Sequence, residues 1–481
     1  FYIHKTPLKK WQISTKLPQK SGKFPQNSLE KVEEWCIIHS GVDKMLKRKF
    51  EKLLLEWKNT SQHKPLVVKG CRQCGKTWLV QKFAKENYEH VIYLNFFLHK
   101  EYAAFFADSL DVERIVFLMS AAMQEQIVPH ETVFIFDEIQ ECPEARTALK
   151  FFYLDGRYDV IATGSLLGVS GYGRAPRSVP VGYETILDMY PLDFEEFLWA
   201  KGVQSDVLEL LQNCLTEEKP VPLALHQMLW QLFLQYIVVG GMPEAVQNFI
   251  DNNNMQQVLQ VQRDIIRSYR DDMVKYAERK DKVLITECYD SIPKQLSKEN
   301  KKFQYAVIRK GGKAERYVGS LQWLTDAGVA VKCRNLHTTE LPLDGNADDN
   351  VFKIYVQDSG LFTAMLEDGT QGDVLQGNLL THRGAVCENF VADVFHKMGR
   401  KLYYFRKDSG LEIDFVIRYQ GKCTLVEVKA TQGNAKSLRT VLSQPEKYHV
   451  EQGIKLGNYN VGRQGNVLTL PLYMAFLLRQ V

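Results

Sequence analysis

Apolar positions along the 481 residues fall into two kinds of pattern. Leu66-Val67-Val68, VIYLNFF (91–97), TVFIFDEIQ (132–140), YDVIATGS (158–165) and ETILDMYPL (184–192) are short, nearly unbroken apolar runs. Such runs suit strands of a parallel sheet covered on both faces. Helically spaced stretches lie between them, which predicts βαβ units. From 203 to 277 the spacing is helical throughout, as in VLELLQNCL and LHQMLWQLFLQYIVVGG, where Gly240-Gly241 ends a helix. This block is expected to form a lid over one edge of the sheet. Further on, 282–335 predicts short helices and a small hairpin. RGAVCENFVADVFHKMG (383–399) is an amphipathic helix and KLYYFR (401–406) a strand. LEIDFVIR (411–418) and TLVEVKA (424–430) alternate at period two around the turn YQGK, so they pair as a hairpin.

The sharpest chemistry lies at the first strand-to-helix turn, VVKGCRQCGKTWLV (67–80). Cys71 and Cys74 form a C-x-x-C that suits a redox pair or half a zinc site. Gly70, Gly75, Lys76 and Thr77 form G-x-x-x-x-G-K-[ST], a loop whose backbone amides cradle phosphates. A structural zinc needs four ligands, and no second C-x-x-C or H-x-x-x-H occurs in the chain. A redox pair has no need of Lys-Thr directly behind it. The phosphate loop is the expected role of Gly70, Cys71, Arg72, Gln73, Cys74, Gly75, Lys76 and Thr77, with both cysteines filling variable positions.

Asp137 and Glu138 stand where the third predicted strand ends. At that place in a nucleotide hydrolase an Asp holds Mg²⁺ and the following Glu polarises water; the bland alternative is a pair of helix-capping acids. Thr163 and Ser165 end the fourth strand on the same sheet edge and are sensor candidates, with capping the competing role for Ser165. Arg174 and Arg177, in GVSGYGRAPRSVPVG, would offer an arginine finger to a neighbouring copy in a homo-oligomer; ordinary surface arginines are the favoured alternative. Together with VFIFDEIQECP, TGSLLGV, MYPLDFEEFL and VVGGMPEAV, these residues resemble the prokaryotic AAA-type ATPases that pair an AAA core with a C-terminal domain of unknown function. IIRSYRDDMVKYA (265–277) and IYVQDSGLF (354–362) fit the same family. Tyr183 in PVGYE stands where the resemblance implies a basic residue. The implied ligands are ATP and Mg²⁺, with Lys76 neutralising phosphate, Thr77 and Asp137 holding the metal and Glu138 orienting water.

Composition adds limits. Hydrophobic residues make up 45% and charged residues 25%, ordinary for a globular protein, and no apolar run reaches the roughly 18 residues of a membrane span. Nine scattered cysteines without a leader pattern point to a reducing cytoplasm. Net charge is only +4, yet residues 1–23 carry six lysines and no acid. Met45 opens a clean helical pattern, MLKRKFEKLLLEWK, so residues 1–44 are expected to be a tail or upstream extension.

The second half reads as two more parts. ERYVGSLQWLTDAGVAVKCRNL resembles a winged helix, and eight Lys/Arg against two Glu between Lys294 and Arg316 suit a phosphate backbone as well as a solvated face. Glu427 and Lys429, two apart on one strand, point the same way, with Asp414 across from them. A helix Glu (Glu388), a hairpin Asp and E-x-K in that order resemble the PD-(D/E)xK nuclease fold, which implies a second metal site at Glu388, Asp414, Glu427 and Lys429. A nuclease fold reused for contacts is the alternative.

The expected fold is α/β. It comprises a tail (1–44), an AAA P-loop core (45–202), a helical lid (203–277), a winged-helix-like connector (278–345) and a PD-(D/E)xK-like C-terminal domain (346–481). The expected function is Mg²⁺-dependent ATP hydrolysis, with nucleic acid as a partner class and no membrane. The rival is a nucleotide-gated binding protein with little turnover.

Overall fold

Residues 46–165, 182–276, 282–431 and 433–479 are described by a computed structural model, and residues 46–481 form one compact unit. After helix α1 (Phe50–Asn59), strands β1 (Leu66–Lys69), β2 (His90–Asn95), β3 (Thr132–Asp137), β4 (Asp159–Gly164) and β5 (Thr185–Asp188) make one sheet in the order β2-β3-β4-β1-β5. Every pairing in it is parallel. Helices α2 (Lys76–Asn87), α3 (Val112–Met123) and α4 (Pro143–Asp155) are the crossovers. Successive residues along a strand face opposite sides, and the packing shows it. Val133, Ile135 and Ile161 enter one hydrophobic core; Phe134, Phe136, Val160 and Ala162 enter the other. The unbroken apolar runs are therefore buried on both faces.

The strands stop earlier than their apolar runs. VIYLNFF ends at Asn95, whose carboxamide oxygen accepts the amides of Phe97 and Leu98 and turns the chain. TVFIFDEIQ ends at Asp137, because Glu138 takes a left-handed φ of 52°.

Helices α5 (Phe194–Ala200), α6 (Ser205–Glu217), α7 (Leu223–Val239), α8 (Pro243–Asn252) and α9 (Met255–Tyr276) follow. They do not form the expected lid as a block. The C-terminal half of α7 is buried, from Phe233 to Val239 with few gaps, and it packs against α12 (Ser359–Ala364) and α13 (Thr370–Leu375) of the second half. Helix α9 reaches the glycine-rich loop after β1, and Pro243 at the start of α8 lies beside Gly75. A helix apolar on all sides is one enclosed by protein, which is why α7 sits between the halves rather than over an edge.

Helices α10 (Lys282–Leu296) and α11 (Ala314–Asp326) lead into strand β6 (Ala330–Leu336), which pairs antiparallel with β7 (Ala347–Val356). The helices and the first strand follow the expected order, but the second strand of the hairpin lies at 347–356, beyond the expected 282–335. However, β6 also pairs in parallel with β8 (Leu402–Arg406), so one sheet, β7-β6-β8-β9, runs across residue 345. The predicted strand 411–418 is split: β9 (Glu412–Ile413) pairs with β8, while β10 (Phe415–Tyr419) belongs to another sheet. That sheet has the order β10-β11-β12-β14-β13, with β11 (Lys422–Val428), β12 (Gln452–Gly457), β13 (Gly462–Gln464) and β14 (Val467–Pro471). Helix α14 (Ala385–Lys397) packs against strands of both sheets. Among the described residues no helix is long and apolar enough to cross a membrane.

A buried polar joint holds the two halves together. Lys397 on α14 donates to Asp393 (2.8 Å), to the Leu192 carbonyl and to the Tyr236 hydroxyl (both 3.1 Å). Asp358 accepts the Gly241 amide at 2.6 Å, while its own amide donates to Asp393 at 3.1 Å. A Cβ on Gly240 would stand 2.2 Å from the Asp358 carboxylate, and one on Gly241 would stand 1.9 Å from the Leu192 carbonyl. The glycine pair thus ends α7 and lets the other half touch its backbone. Burial pushes the Asp358 carboxyl up to about 6, against the pull of Lys397. Removing one partner strands buried charge, so Lys397→Ala should cost about 3–5 kcal/mol. A urea unfolding series checks this, and a loss under about 1 kcal/mol would show the joint to be dispensable.

Candidate functional site

The loop between β1 and α2 is held by contacts from several elements. Gly70 has a φ of 155°, and a Cβ there would lie 2.0 Å from the Met189 carbonyl at the end of β5. Gly75, at φ 94°, caps α2 in the left-handed region that favours glycine. Arg48 holds the outside of the loop, donating to the Cys74 carbonyl at 3.1 Å, to the Tyr190 carbonyl at 2.6 Å and to Glu196 at 3.2 Å. Lys76 turns back inside, and its ammonium donates to the carbonyls of Gly70 (2.9 Å) and Cys71 (2.8 Å). Arg72 donates to Asp272 of α9 at 2.6 Å, and Tyr269 of the same helix donates to the Arg72 carbonyl at 3.0 Å. Burial, ahead of the opposing pull of Arg72, pushes Asp272 up to about 6.

Both loop cysteines are buried free thiols. A hydrogen bond from Cys71 and the nearby Lys76 and Arg48 push the Cys74 thiol down to about 6 against its burial. Its sulfur lies 4.0 Å from the Lys76 ammonium and 3.5 Å from the Met189 carbonyl. Each thiol fills a core position, the place expected of a small residue at a variable loop site.

Asp137 is the hub of the neighbouring strand ends. Thr77 donates to its Oδ1 at 3.0 Å, and the Thr163 hydroxyl donates to the same oxygen. Tyr93 (2.7 Å) and Asn95 (2.8 Å) donate to Oδ2. Four donors satisfy both oxygens of this one buried carboxylate. Hydroxyl and carboxylate oxygens side by side are the hard donors that Mg²⁺ takes. Glu138 accepts the Ser165 hydroxyl at 3.4 Å and the Gln140 carboxamide, and Arg72 donates to Ser165 at 3.4 Å. The loop, Asp137, Glu138, Thr163 and Ser165 therefore come together at the carboxyl ends of β1, β3 and β4, where parallel sheets bind ligands. Arg174 and Arg177 lie outside the described residues. Tyr183 packs edge-on against Tyr153, with the Lys150 ammonium 5.0 Å from its ring centre. Tyr93, Asn95, Tyr269 and Asp272 were not foreseen, although an asparagine ending an apolar strand beside Asp137 is a usable signal.

The C-terminal carboxylates converge only in part. Asp414 occupies the bend between β9 and β10, one step from the Phe415–Val426 pair, and so lies opposite Glu427. It accepts the Val428 amide at 2.8 Å, and Lys429 meets Glu427 at 2.6 Å. Burial first, then Glu388 and Glu427, push Asp414 up to about 7. Burial also raises Glu427. Glu388 goes the other way, because Lys301 and Lys353 outweigh its burial and hold it well below the usual carboxylate range. Among the described residues, Glu388, Asp414 and Glu427 do not bring three carboxylate oxygens within 4.8 Å of one another. Two lysines occupy the first of the three, so this arrangement does not fit a shared divalent ion. Lys301 belongs to the basic stretch 294–316, for which phosphate-backbone contact and a solvated face are the two expectations; its side chain is instead buried against Glu388, while exposed Arg309 meets Glu287.

Residues 62–198 match the AAA domain family. This stretch is similar to AAA-type P-loop ATPase domains. Residues 231–372 and 383–473 match two domains of unknown function, DUF8612 and DUF4143. No nuclease family matches alongside the second, so the likeness to a nuclease fold rests on the residues alone. No curated protein matches the chain. Among solved structures, a Walker-type ATPase of Pyrococcus abyssi is similar at 16% identity over 67% of this chain and 96% of that one, with a TM-score of 0.39. The Aeropyrum pernix ORC1 protein, solved in complex with DNA, is similar at 12% identity over 70% and 92% with a TM-score of 0.27. PCH-2 of C. elegans is similar at 15% identity over 42% and 65% with a TM-score of 0.20. Likeness at this level assigns no function.

The ATPase domain leads to a paired test of its loop. Lys76→Ala should abolish binding of a fluorescent ATP analogue, whereas Cys71→Ser with Cys74→Ser should bind within a few-fold of the parent. Loss of binding in the double serine variant, restored by zinc, would return the loop to metal chemistry.

Proposed function

We propose that the chain is a Mg²⁺-dependent ATP hydrolase whose nucleotide state is passed through α9 to the second half. The observation that carries this is the convergence of Lys76, Thr77, Asp137 and Glu138 at one sheet edge. The amides of residues 70–77 wrap the phosphates. The Lys76 ammonium exchanges the Gly70 and Cys71 carbonyls for phosphate oxygens. Thr77 and Asp137 would hold Mg²⁺, which when bound supplies charge neutralisation between the phosphates. Glu138 orients the attacking water and takes its proton. Ser165 and Gln140 fix the Glu138 carboxylate, and Thr163 fixes Asp137. The sensor roles of Thr163 and Ser165 rest on those contacts.

Coupling follows from Arg72. It bridges Ser165, next to Glu138, and Asp272 on α9, so a change at the phosphates reaches that helix through two side chains. The second half is read as a PD-(D/E)xK-like domain used for contact with nucleic acid, with the basic residues around 298–316 facing the backbone. Such contact weakens steeply as salt rises. The Arg72–Asp272 pair also favours the rival, a nucleotide-gated binder with slow turnover, since it holds a loop residue away from phosphate until the pair opens. Turnover with and without added DNA separates the two.

Glu138→Gln keeps size and hydrogen bonding but removes the carboxylate. ATP affinity should stay near that of the parent while turnover falls roughly a hundredfold or more, the scale of a positioned base. Unchanged turnover would move that role elsewhere.

A further inference from the structure

The C-x-x-C of the phosphate loop takes no part in the nucleotide chemistry above. Arg72 and Gln73 form the middle of a turn, with Cys71 and Cys74 at its two ends. Such a turn brings its end Cα atoms within about 7 Å, and a disulfide spans roughly 4.4–6.8 Å. The two side chains already meet, since the Cys71 thiol donates a hydrogen bond to the Cys74 sulfur. That bond, with Lys76 and Arg48 nearby, favours the Cys74 thiolate against its burial. Cys74 is therefore the sulfur that reacts first. Both side chains are buried, but Gln73 between them is exposed, so the pair lies under a turn at the surface.

The pair is tied to the backbone that cradles phosphate. The Cys71 carbonyl accepts the Lys76 ammonium at 2.8 Å, and the Cys74 carbonyl accepts Arg48 at 3.1 Å. Arg72, between the thiols, is anchored to Asp272 at 2.6 Å. The Cys74 sulfur also lies 4.0 Å from the Lys76 ammonium. A sulfur–sulfur bond is about 2.05 Å long, far shorter than a thiol hydrogen bond. Forming it draws residues 71 and 74 together and moves the amides between them, which the phosphates need in place.

We propose that Cys71 and Cys74 are a redox pair that a peroxide closes into a disulfide, and that the closed loop no longer takes ATP. This rests on the reading of the loop as the ATP site. Hydrogen peroxide oxidises the Cys74 sulfur to a sulfenic acid and leaves as water. The Cys71 sulfur then attacks the Cys74 sulfur, and the hydroxyl departs with the Cys71 proton as a second water. Two thiols and one peroxide thus become one disulfide and two waters, and a dithiol reductant restores the thiols. Disulfide and ATP oppose each other, so bound ATP protects the thiols by the same factor that the disulfide takes from ATP affinity.

Peptide mass analysis and ATP binding on the full chain test this together. Trypsin cuts after Lys69, Arg72 and Lys76, so the disulfide shows as peptide 70–72 linked to peptide 73–76. Hydrogen peroxide on the folded chain should produce these linked peptides. A fluorescent ATP analogue should then bind roughly tenfold more weakly, until dithiothreitol restores it; saturating analogue should shift the pair's reduction potential by about 30 mV towards the thiols. Cys71→Ser and Cys74→Ser, each compared with its own untreated form, should not respond to peroxide. Absence of linked peptides, or linked peptides with unchanged binding, overturns the proposal, and so does a peroxide response in either serine variant. A reduced parent that fails to bind the analogue strikes the ATP reading of the loop instead.

Discussion

Where Lys397 meets Asp393, Tyr236 and the Leu192 carbonyl, and Asp358 meets the Gly241 amide, three buried charged side chains and the end of a helix share one small volume. Each group is costly inside the protein on its own; Lys397 and Asp393 pair along α14, and their remaining bonds go to Leu192, Tyr236, the Asp358 amide and Ser359 on other elements. The C-terminal carbonyls of α7 are met in the same way, by Gln262 from α9 at 2.7 and 2.8 Å and by Thr363 from α12 at 3.0 Å. The ATPase core cannot leave the second half without exposing this set of unpaired groups. The rest of the architecture depends on that constraint. Helix α7 can be apolar on nearly every side because protein encloses it, and α9 is held at an angle that lands Tyr269 and Asp272 on the phosphate loop.

The same geometry explains why the two sites share a frame although they use different chemistry. At the phosphate loop, hydrogen-bond donors gather around one carboxylate, Asp137, and a cation turns inward to backbone carbonyls. At the C-terminal site the proportion is reversed: carboxylates are in excess over backbone donors, and side-chain cations fill the difference. Helices α9 and α10 run between the two. Asp272 grips the first site, and the segment after α10 supplies Lys301 to the second.

Much of the first half was legible because its signals are local. An apolar run that ends in Asp-Glu, or a glycine loop followed by Lys-Thr, carries its own geometry, and β3 and the loop lie where the pattern places them. The misses come from choices made over long range. Period-two alternation over 411–418 says which residues share a face, but not that the chain changes sheets at Asp414. The apolar surface of α7 says that it is covered, but not by what. Lys353 in VFKIYV reads as an exposed position on a strand, yet it is buried because Glu388 and Glu412 come from elements 35 and 59 residues further along. Asp272 is one acid in RSYRDDM, and nothing local marks it as the partner of Arg72.

The central claim is a rigid joint with movable contacts on either side of it. Hydrogen exchange along the Glu138→Gln chain, with and without ATP, tests that most directly. Exchange should slow in residues 70–77 and change in α9 around Tyr269 and Asp272, while residues 236–243 and 356–364 stay protected to the same degree. Faster exchange at those two joint segments when ATP is added would contradict the account, because it would mean that the halves separate rather than signal across a fixed seam.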